Sequence, residues 1–158
     1  MPPPLLFDIS GLPLAETHVD AAGIEAINPH RGAMRMLDGI LWLDLEDPPR
    51  AVACKDVRDD EFWVLGHIPG RPLLPGVLML EAAAQLASFM MLSKFPRLKF
   101  LGFTGVDQAK FRGQVVPGDR LLLLGQGLEF KPRRCICATQ GLVGHNQVFE
   151  AKITGMPI

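Results

Sequence analysis

The spacing of apolar and polar positions divides the chain into one long helix and a set of strands. Residues 77–92 are almost all helix-favouring Leu, Met, Ala and Glu and are apolar on every face, which predicts a helix enclosed by the rest of the protein. Shorter runs rich in Val, Ile, Leu and Phe, bounded by Gly, Pro and Asp, predict strands. They cover residues 36–45, 51–57, 100–111, 120–129, 135–143 and 147–153.

The order of these elements indicates the fold class. Two strands precede the long helix and four follow it, joined by short turn sequences that are typical of antiparallel meanders. A short helix is predicted earlier, at residues 20–27, where Asp20 can cap the first turn. Because strands and helices do not alternate as they do around a parallel sheet, the pattern predicts an α+β fold, a curved antiparallel sheet wrapped around one helix.

Length and composition narrow the class of protein. The 158 residues contain no internal repeat or long linker, so we expect one domain over residues 1–158, with residues 1–19 as a loose arm. The first residues are proline-rich and lack a basic segment ahead of an apolar core, which argues against a signal peptide or an anchor. A formal net charge of -1 argues against binding nucleic acid through a basic surface.

The cysteines and the long apolar helix bear on location. Three cysteines are an odd number, and without a secretory signal they indicate a reducing cytoplasm. Cys135 and Cys137 lie two apart on a predicted strand, so we expect both thiols on one face, packed in the core. Residues 72–92 are apolar enough to suggest a membrane span, but Glu81 at its centre would cost about 3 kcal/mol there, which favours a buried core helix.

Glu81 is the first candidate for chemistry. It is the one ionisable side chain in the predicted helix, and Gln85 follows one turn later on the same face. Burial of a carboxylate favours its neutral form, which can donate a proton. A structural glutamate bound to a backbone donor is an equally good interpretation of Glu81 alone.

The loop before the helix supplies two further candidates. His67 lies in a stretch of Pro and Gly, and its imidazole can accept a proton near neutral pH, although a lone loop histidine is more often only hydrogen-bonded. Pro75 and Gly76 then open the helix, where free N–H groups can bind a carbonyl oxygen that gains negative charge. Gly76 has no side chain to keep a substrate away from its N–H. No histidine or cysteine spacing suits zinc, so we expect neither a metal nor a cofactor.

Three segments carry a resemblance to a known family. The chain resembles the beta-hydroxyacyl-(acyl carrier protein) dehydratases of bacterial fatty-acid synthesis, which have the hotdog fold, from about residue 28 to its C-terminus. The central segment is the most specific, because it sets a histidine and an acid fourteen positions apart with prolines and glycines between them. The segments are Asn28-Pro29-His30-Arg31, residues 66–85, and Ala109-Lys110-Phe111-Arg112 with Val115-Val116-Pro117-Gly118-Asp119.

The resemblance implies a mechanism and an assembly. The substrate would be a (3R)-hydroxyacyl thioester on acyl carrier protein or coenzyme A. His67 would take the proton next to the thioester carbonyl, Glu81 would help the hydroxyl leave as water, and the Gly76 amide would bind the carbonyl oxygen. The active site would be composite, with His67 of one subunit meeting Glu81 of the other in a homodimer. The resemblance does not decide between a dimer and a hexamer built as a trimer of dimers.

The chain also departs from the family pattern. Gly32, Ala33 and Met34 stand where the family usually has an aromatic residue and a proline, Gln114 stands where a basic residue or a proline is common, and the chain has no tyrosine. These changes leave the acyl chain length open. We expect His30 to shape the entrance to the site. Five basic residues are candidates for a basic rim that binds an acidic carrier protein, and ordinary solvated surface is the alternative interpretation. They are Lys110, Arg112, Lys131, Arg133 and Arg134.

Two other functions fit the same fold. A hotdog thioesterase could use Glu81 to activate water against the carbonyl, but hydrolysis by a lone carboxylate would not need the His67 loop. A sensor that binds acyl thioesters without turnover could have the same fold. Intact His67, Glu81 and Gly76 argue against that sensor.

Overall fold

All six predicted strands and both predicted helices are present in the computed structural model, which describes residues 3–158. The elements are α1 (Ala21–Glu25), a 3-10 turn (Gly32–Met34), β1 (Gly39–Asp44), β2 (Arg50–Asp56), α2 (Gly76–Lys94), β3 (Leu101–Phe111), β4 (Arg120–Lys131), β5 (Arg134–Val143) and β6 (Asn146–Pro157). The strand expected from residue 36 begins later, at Gly39. Met36 is held elsewhere, because its backbone N–H donates to Gln85 Oε1 of α2.

The six strands form one antiparallel sheet in the order β1-β2-β4-β5-β6-β3. Pairing of β2 with β4 brings the strands on either side of α2 together, and β3, which follows α2 directly, lies at the far edge. Its ladder with β6 shifts register twice, between Phe103 and Gly105 and between Asp107 and Lys110. Such bulges bend and twist a strand, so the sheet can wrap around the helix as the α+β pattern predicts.

The long helix α2 packs against β2, β3, β4, β5 and β6. Leu86 and Met90 are fully buried in this core, and Gly125 of β4 allows a close approach, since a Cβ there would lie 3.0 Å from Met90 Sδ. By length and composition alone α2 could cross a membrane, yet 61% of its most apolar stretch is buried inside the protein. This burial agrees with the core-helix interpretation.

One face of α2 is not enclosed, which corrects the expectation of complete burial. Val77 is 67% exposed, and Leu80, Glu81 and Ala84 are only partly buried. An apolar pattern indicates that a helix face is buried, but it does not indicate whether the same chain or another chain covers that face.

Residues 1–19 were expected as a loose arm, but the apolar residues between Leu6 and Leu14 pack on the sheet face opposite α2. Met1 and Pro2 lie outside the described residues. Phe7 is 9% exposed, with its ring centroid 5.8 Å from that of Trp42. The Gln140 side chain accepts from Leu6 N–H and donates to Pro4 O, both at 2.9 Å. The run of four leucines at 121–124 explains this cover, because a strand that is apolar at successive positions needs burial on both faces.

The two cysteines of β5 lie in the core, as predicted. Cys135 and Cys137 are both 0% exposed free thiols on the face toward α2. Burial raises the pKa of the Cys135 thiol to about 11, although a backbone N–H of Gly155 opposes the shift. These thiols are inert packing groups at neutral pH.

Candidate active site

The α2 backbone places Glu81 and Gln85 one turn apart, and Gln85 orients the carboxylate. Gln85 is 1% exposed, and its Oε1 accepts the N–H of Met36 at 2.9 Å. Its Nε2 donates to Met34 O at 2.7 Å and to Glu81 Oε1 at 2.8 Å. Because the amide has three partners in fixed positions, it directs one N–H at the Glu81 carboxylate.

The Asn28 segment is attached to the same helix. Asn28 is 2% exposed, and its Nδ2 donates to Gln85 O at 2.9 Å. Ser88 Oγ donates to Asn28 Oδ1, also at 2.9 Å. These buried contacts hold the residues that follow Asn28 against the site. They include Gly32, Ala33 and Met34, which depart from the family pattern, and the Met34 carbonyl accepts a hydrogen bond from Gln85 Nε2.

The attachment of Asn28 to α2 brings His30 close to Glu81. Arg31 donates to the carbonyl oxygens of Glu25, Asn28 and His30, each at 2.8 Å, and so fixes the backbone of this turn. His30 Nε2 lies 3.7 Å from Glu81 Oε1. Burial lowers the pKa of His30 although Glu81 acts in the opposite direction, so the imidazole beside Glu81 is neutral near pH 7.

A cavity of about 150 Å³ opens in front of this pair. The Glu81 side chain, 26% exposed, lies at its wall, so the burial expected from the sequence is incomplete in the single chain. The other lining residues come from the Asn28 segment, α2 and the sheet: His30, Ala84, Gln85, Ser88, Phe100, Leu101, Gly102, Phe103, Ile153 and Gly155. A carboxylate at the wall of a largely apolar cavity suits a substrate with an apolar tail and one polar reacting group.

His67 lies elsewhere, in an exposed loop, and is not among the residues that line the Glu81 cavity. Its Nδ1 is 2.8 Å from Leu73 O, and its backbone N–H donates to Trp63 O at 2.8 Å. Because a carbonyl oxygen can only accept, Nδ1 must carry the ring proton in the neutral tautomer, and Nε2 is left with its lone pair. The ring is thus oriented as a base, but the single chain does not bring it to Glu81.

Gly76 begins α2 and lies against the ring of Phe111, a residue to which the sequence analysis assigned no role. A Cβ at Gly76 would lie 2.8 Å from Phe111 Cε1, closer than carbon atoms can pack. Pro75 precedes it, and Pro75 O accepts the Leu78 N–H at 2.9 Å. For the N–H of Gly76, no acceptor is present within residues 3–158. An N–H at a helix start can bind an oxyanion.

The five basic residues form two groups rather than one rim. Lys110 and Arg112 lie near the end of β3, where Arg112 pairs with Glu150 at 2.7 Å. The other three lie at the turn between β4 and β5, where Arg134 pairs with Glu129 at 2.7 Å. Lys110 is opposite Glu150, which pairs with Gln140, so the two groups are six residue steps of β5 apart, about 20 Å along the strand. Residues 3–158 contain no cluster of three His, Cys, Asp or Glu side chains suited to a metal.

A family model for a FabA-like domain matches residues 28–152. The chain belongs to this family. The matched range begins at Asn28, the residue that attaches its segment to α2, and includes His67, Gly76 and Glu81. The resemblance drawn from the three sequence segments is therefore confirmed.

Several relatives in the FabA-like family carry a named activity. The 3-hydroxyacyl-[acyl-carrier-protein] dehydratase FabZ of Koribacter versatilis is 34% identical over 142 residues, which are 89% of this chain and 90% of the relative. The FabZ of a Geobacillus species is 44% identical over 108 residues, 66% of this chain and 72% of the relative.

Solved structures of low identity agree on the hotdog fold. The dehydratase heterocomplex ApeI:P from Xenorhabdus doucetiae matches with a TM-score of 0.71 and 13% identity over 85% of this chain and 90% of that one. A virulence protein from Campylobacter jejuni matches with a TM-score of 0.67 and 17% identity over 90% and 95%. At these identities the likeness shows the fold alone, and the predicted fold is confirmed.

Proposed function

We propose that this FabA-like chain is a lyase that dehydrates (3R)-hydroxyacyl thioesters to trans-2-enoyl thioesters in fatty-acid synthesis. The observation that carries the proposal is Glu81, oriented by buried Gln85 at the wall of an apolar cavity, on the same helix whose first N–H belongs to Gly76. Relatives that cover most of the chain bear the name of this activity. Three buried free thiols fit a reducing cytoplasm as its location.

The proposed chemistry is a proton transfer at each end of the reacting bond. His67 Nε2 removes the proton on the carbon next to the thioester carbonyl, and the Gly76 N–H stabilises the oxygen that becomes negative. As the carbon–oxygen bond of the hydroxyl breaks, the Glu81 carboxyl group in its protonated form supplies the proton that makes the leaving group water, and it becomes a carboxylate. The proton taken by His67 balances the one that Glu81 gives, and no cofactor takes part.

A homodimer would complete this site, with His67 of one subunit beside Glu81 of the other. The proposal is supported by the uncovered face of α2 at Val77, Leu80 and Ala84. The neighbouring edge strand β3 also exposes Phe103 and Val106, 45% and 40% exposed. An open strand edge beside an apolar face invites pairing with a second copy.

The thioester would be delivered on an acyl carrier protein, with Lys110 and Arg112 as its contacts. Both flank Phe111, whose ring meets Gly76, so an acidic carrier docked there could pass its prosthetic arm to the Gly76 N–H. Lys131, Arg133 and Arg134 lie about 20 Å further along the sheet and fit a docked carrier less well.

Hydration of a crotonyl thioester, the reverse reaction, tests the activity. We expect loss of the enoyl absorbance without release of free thiol, and we expect His67→Ala and Glu81→Gln each to lower kcat by at least about 100-fold. Both variants should keep the wild-type thermal midpoint within a few degrees, because neither side chain is fully buried. Thiol release would select a thioesterase instead, and a Glu81→Gln rate equal to wild type would refute the mechanism.

A further inference from the structure

A buried ion pair lies beneath the loop that carries His67. Lys55, near the end of β2, is 4% exposed at its side chain, and Glu61, in the loop, is 8% exposed. Lys55 Nζ and Glu61 Oε1 are 2.7 Å apart. In every other ion pair within residues 3–158 both side chains are at least 20% exposed.

The Glu61 carboxylate has a partner for each oxygen. Oε1 accepts from Lys55 and, at 3.3 Å, from the indole N–H of Trp63, and Oε2 accepts the backbone N–H of Arg58 at 2.8 Å. Burial acts to raise the pKa of Glu61, but the hydrogen bonds from Lys55 and Arg58 outweigh it and the net pKa is lowered. Glu61 is therefore ionised at neutral pH, and its carboxylate holds the loop from Arg58 to Trp63 through these hydrogen bonds.

The contacts continue from Glu61 to His67. Trp63 is 4% exposed and belongs to the main core, so its indole and its backbone are fixed. The Trp63 carbonyl accepts the N–H of His67 at 2.8 Å and that of Gly66 at 3.2 Å. A continuous series of polar contacts thus runs from β2 through Glu61 and Trp63 to the backbone of His67.

Stability alone does not account for a buried pair of charges here. Removing two charges from water costs several kcal/mol, and apolar replacements of similar volume are often at least as stable. An ion pair differs from an apolar contact in its direction, since three donors must meet one carboxylate at fixed angles. Directional contacts are what a catalytic loop requires, because a displacement of about 1 Å can cost about 100-fold in rate.

We propose that Lys55 and Glu61 are positioning residues that hold the backbone of residues 58–67 so that His67 Nε2 faces the substrate. This rests on the proposed function, in which His67 is the base. Neither residue touches the reacting atoms. They hold Trp63 in place, and Trp63 in turn holds the backbone that sets the orientation of the His67 imidazole.

The test removes both charges and keeps the shape. Lys55→Met with Glu61→Gln should fold, and in crotonyl thioester hydration it should lower kcat about 10- to 100-fold while KM stays within about threefold. Asp60→Asn is the matched control, because it breaks an exposed pair with Arg58, 3.0 Å long, in the same loop. That control should keep the wild-type kcat, whereas a folded double variant with wild-type kcat overturns the proposal.

Two further measurements keep the outcome decisive. If the double variant does not fold, Glu61→Gln alone replaces it, since one amide oxygen cannot serve three donors, and a wild-type kcat in that variant overturns the proposal. Hydrogen exchange of the His67 N–H, read without turnover, should be faster in the charge-free variant and unchanged in Asp60→Asn. A wild-type enzyme that does not hydrate crotonyl thioester would refute the proposed function, and unchanged exchange would refute the positioning role.

Discussion

At the level of single residues, Glu81 has one contact from its own helix and one from a distant part of the chain. Glu81 and Gln85 were predicted as a pair, because a helix brings residues four apart together. His30 and Glu81 meet across fifty-one positions only because Asn28 is bonded to the α2 backbone, and helical periodicity carries no information on that contact. Lys55 was missed although it left a signal, since it shares the core face of its strand with Ala51 and Ala53.

The buried position of His30 predicts a pH-dependent stability. Because burial lowers its pKa in the folded chain below the ordinary 6.5, the unfolded chain binds the proton more tightly. The free energy of unfolding should therefore rise with pH between the folded pKa and about 6.5, with the full penalty below that window and none above it. Urea unfolding from about pH 5 to pH 8 should show this rise in the wild type and a flatter curve in His30→Gln.

An exposed histidine provides the control for that experiment. His145 lies in the turn between β5 and β6. We expect the curve of His145→Gln to follow the wild type. Parallel curves for wild type and His30→Gln would show that the His30 environment does not oppose its protonation.

At the level of elements, the apolar pattern predicted which segments form strands and helices, but it did not predict which parts of the protein cover them. Every strand and both α-helices were predicted to within four residues at each end, because turn residues mark their ends, whereas the 3-10 turn Gly32–Met34 was not predicted. The arm at residues 1–19 was expected to be loose, since its prolines forbid regular structure. It packs nonetheless, because its apolar side chains cover the second face of β2 and β4 without needing a helix or a strand.

The start of α2 predicts a loss of activity without a loss of stability in Gly76→Ala. The added Cβ must displace the Phe111 ring, which is 50% exposed and can move, while the methyl group also blocks the approach of a carbonyl oxygen to the N–H. We expect kcat for hydration to fall about 100-fold, the usual effect of losing an oxyanion donor, with the thermal midpoint nearly unchanged.

A second variant separates the two effects of that methyl group. Phe111→Leu makes room for the new Cβ, so Gly76→Ala with Phe111→Leu relieves the contact with the ring. If access to the N–H is what matters, the double variant should be as slow as Gly76→Ala. Recovery of the wild-type kcat would instead assign the loss to the displaced ring.

At the level of the whole molecule, the proposed mechanism requires His67 and Glu81 to lie in one site. A single chain leaves His67 in an exposed loop, away from the Glu81 cavity, and leaves one face of α2 uncovered beside the edge strand β3. The apolar pattern alone could not predict the uncovered face, because apolar residues that contact a partner follow the same pattern as core residues. The composite site was predicted only through the family resemblance. In the proposed two-fold dimer, each uncovered face would gain a partner and each chain would complete the other's site.

Mixed dimers test that arrangement directly. A heterodimer of a His67→Ala subunit and a Glu81→Gln subunit, isolated through two different affinity tags, contains one site with both side chains intact if the site is composite. It should then hydrate crotonyl thioester at about half the wild-type rate per dimer, although each parent homodimer is inactive. A site within one chain would lack one residue in each subunit, so the heterodimer would be as inactive as its parents. Pairing His67→Ala with a subunit that carries both substitutions leaves no intact site in either arrangement, and its activity sets the background against which the recovery is measured.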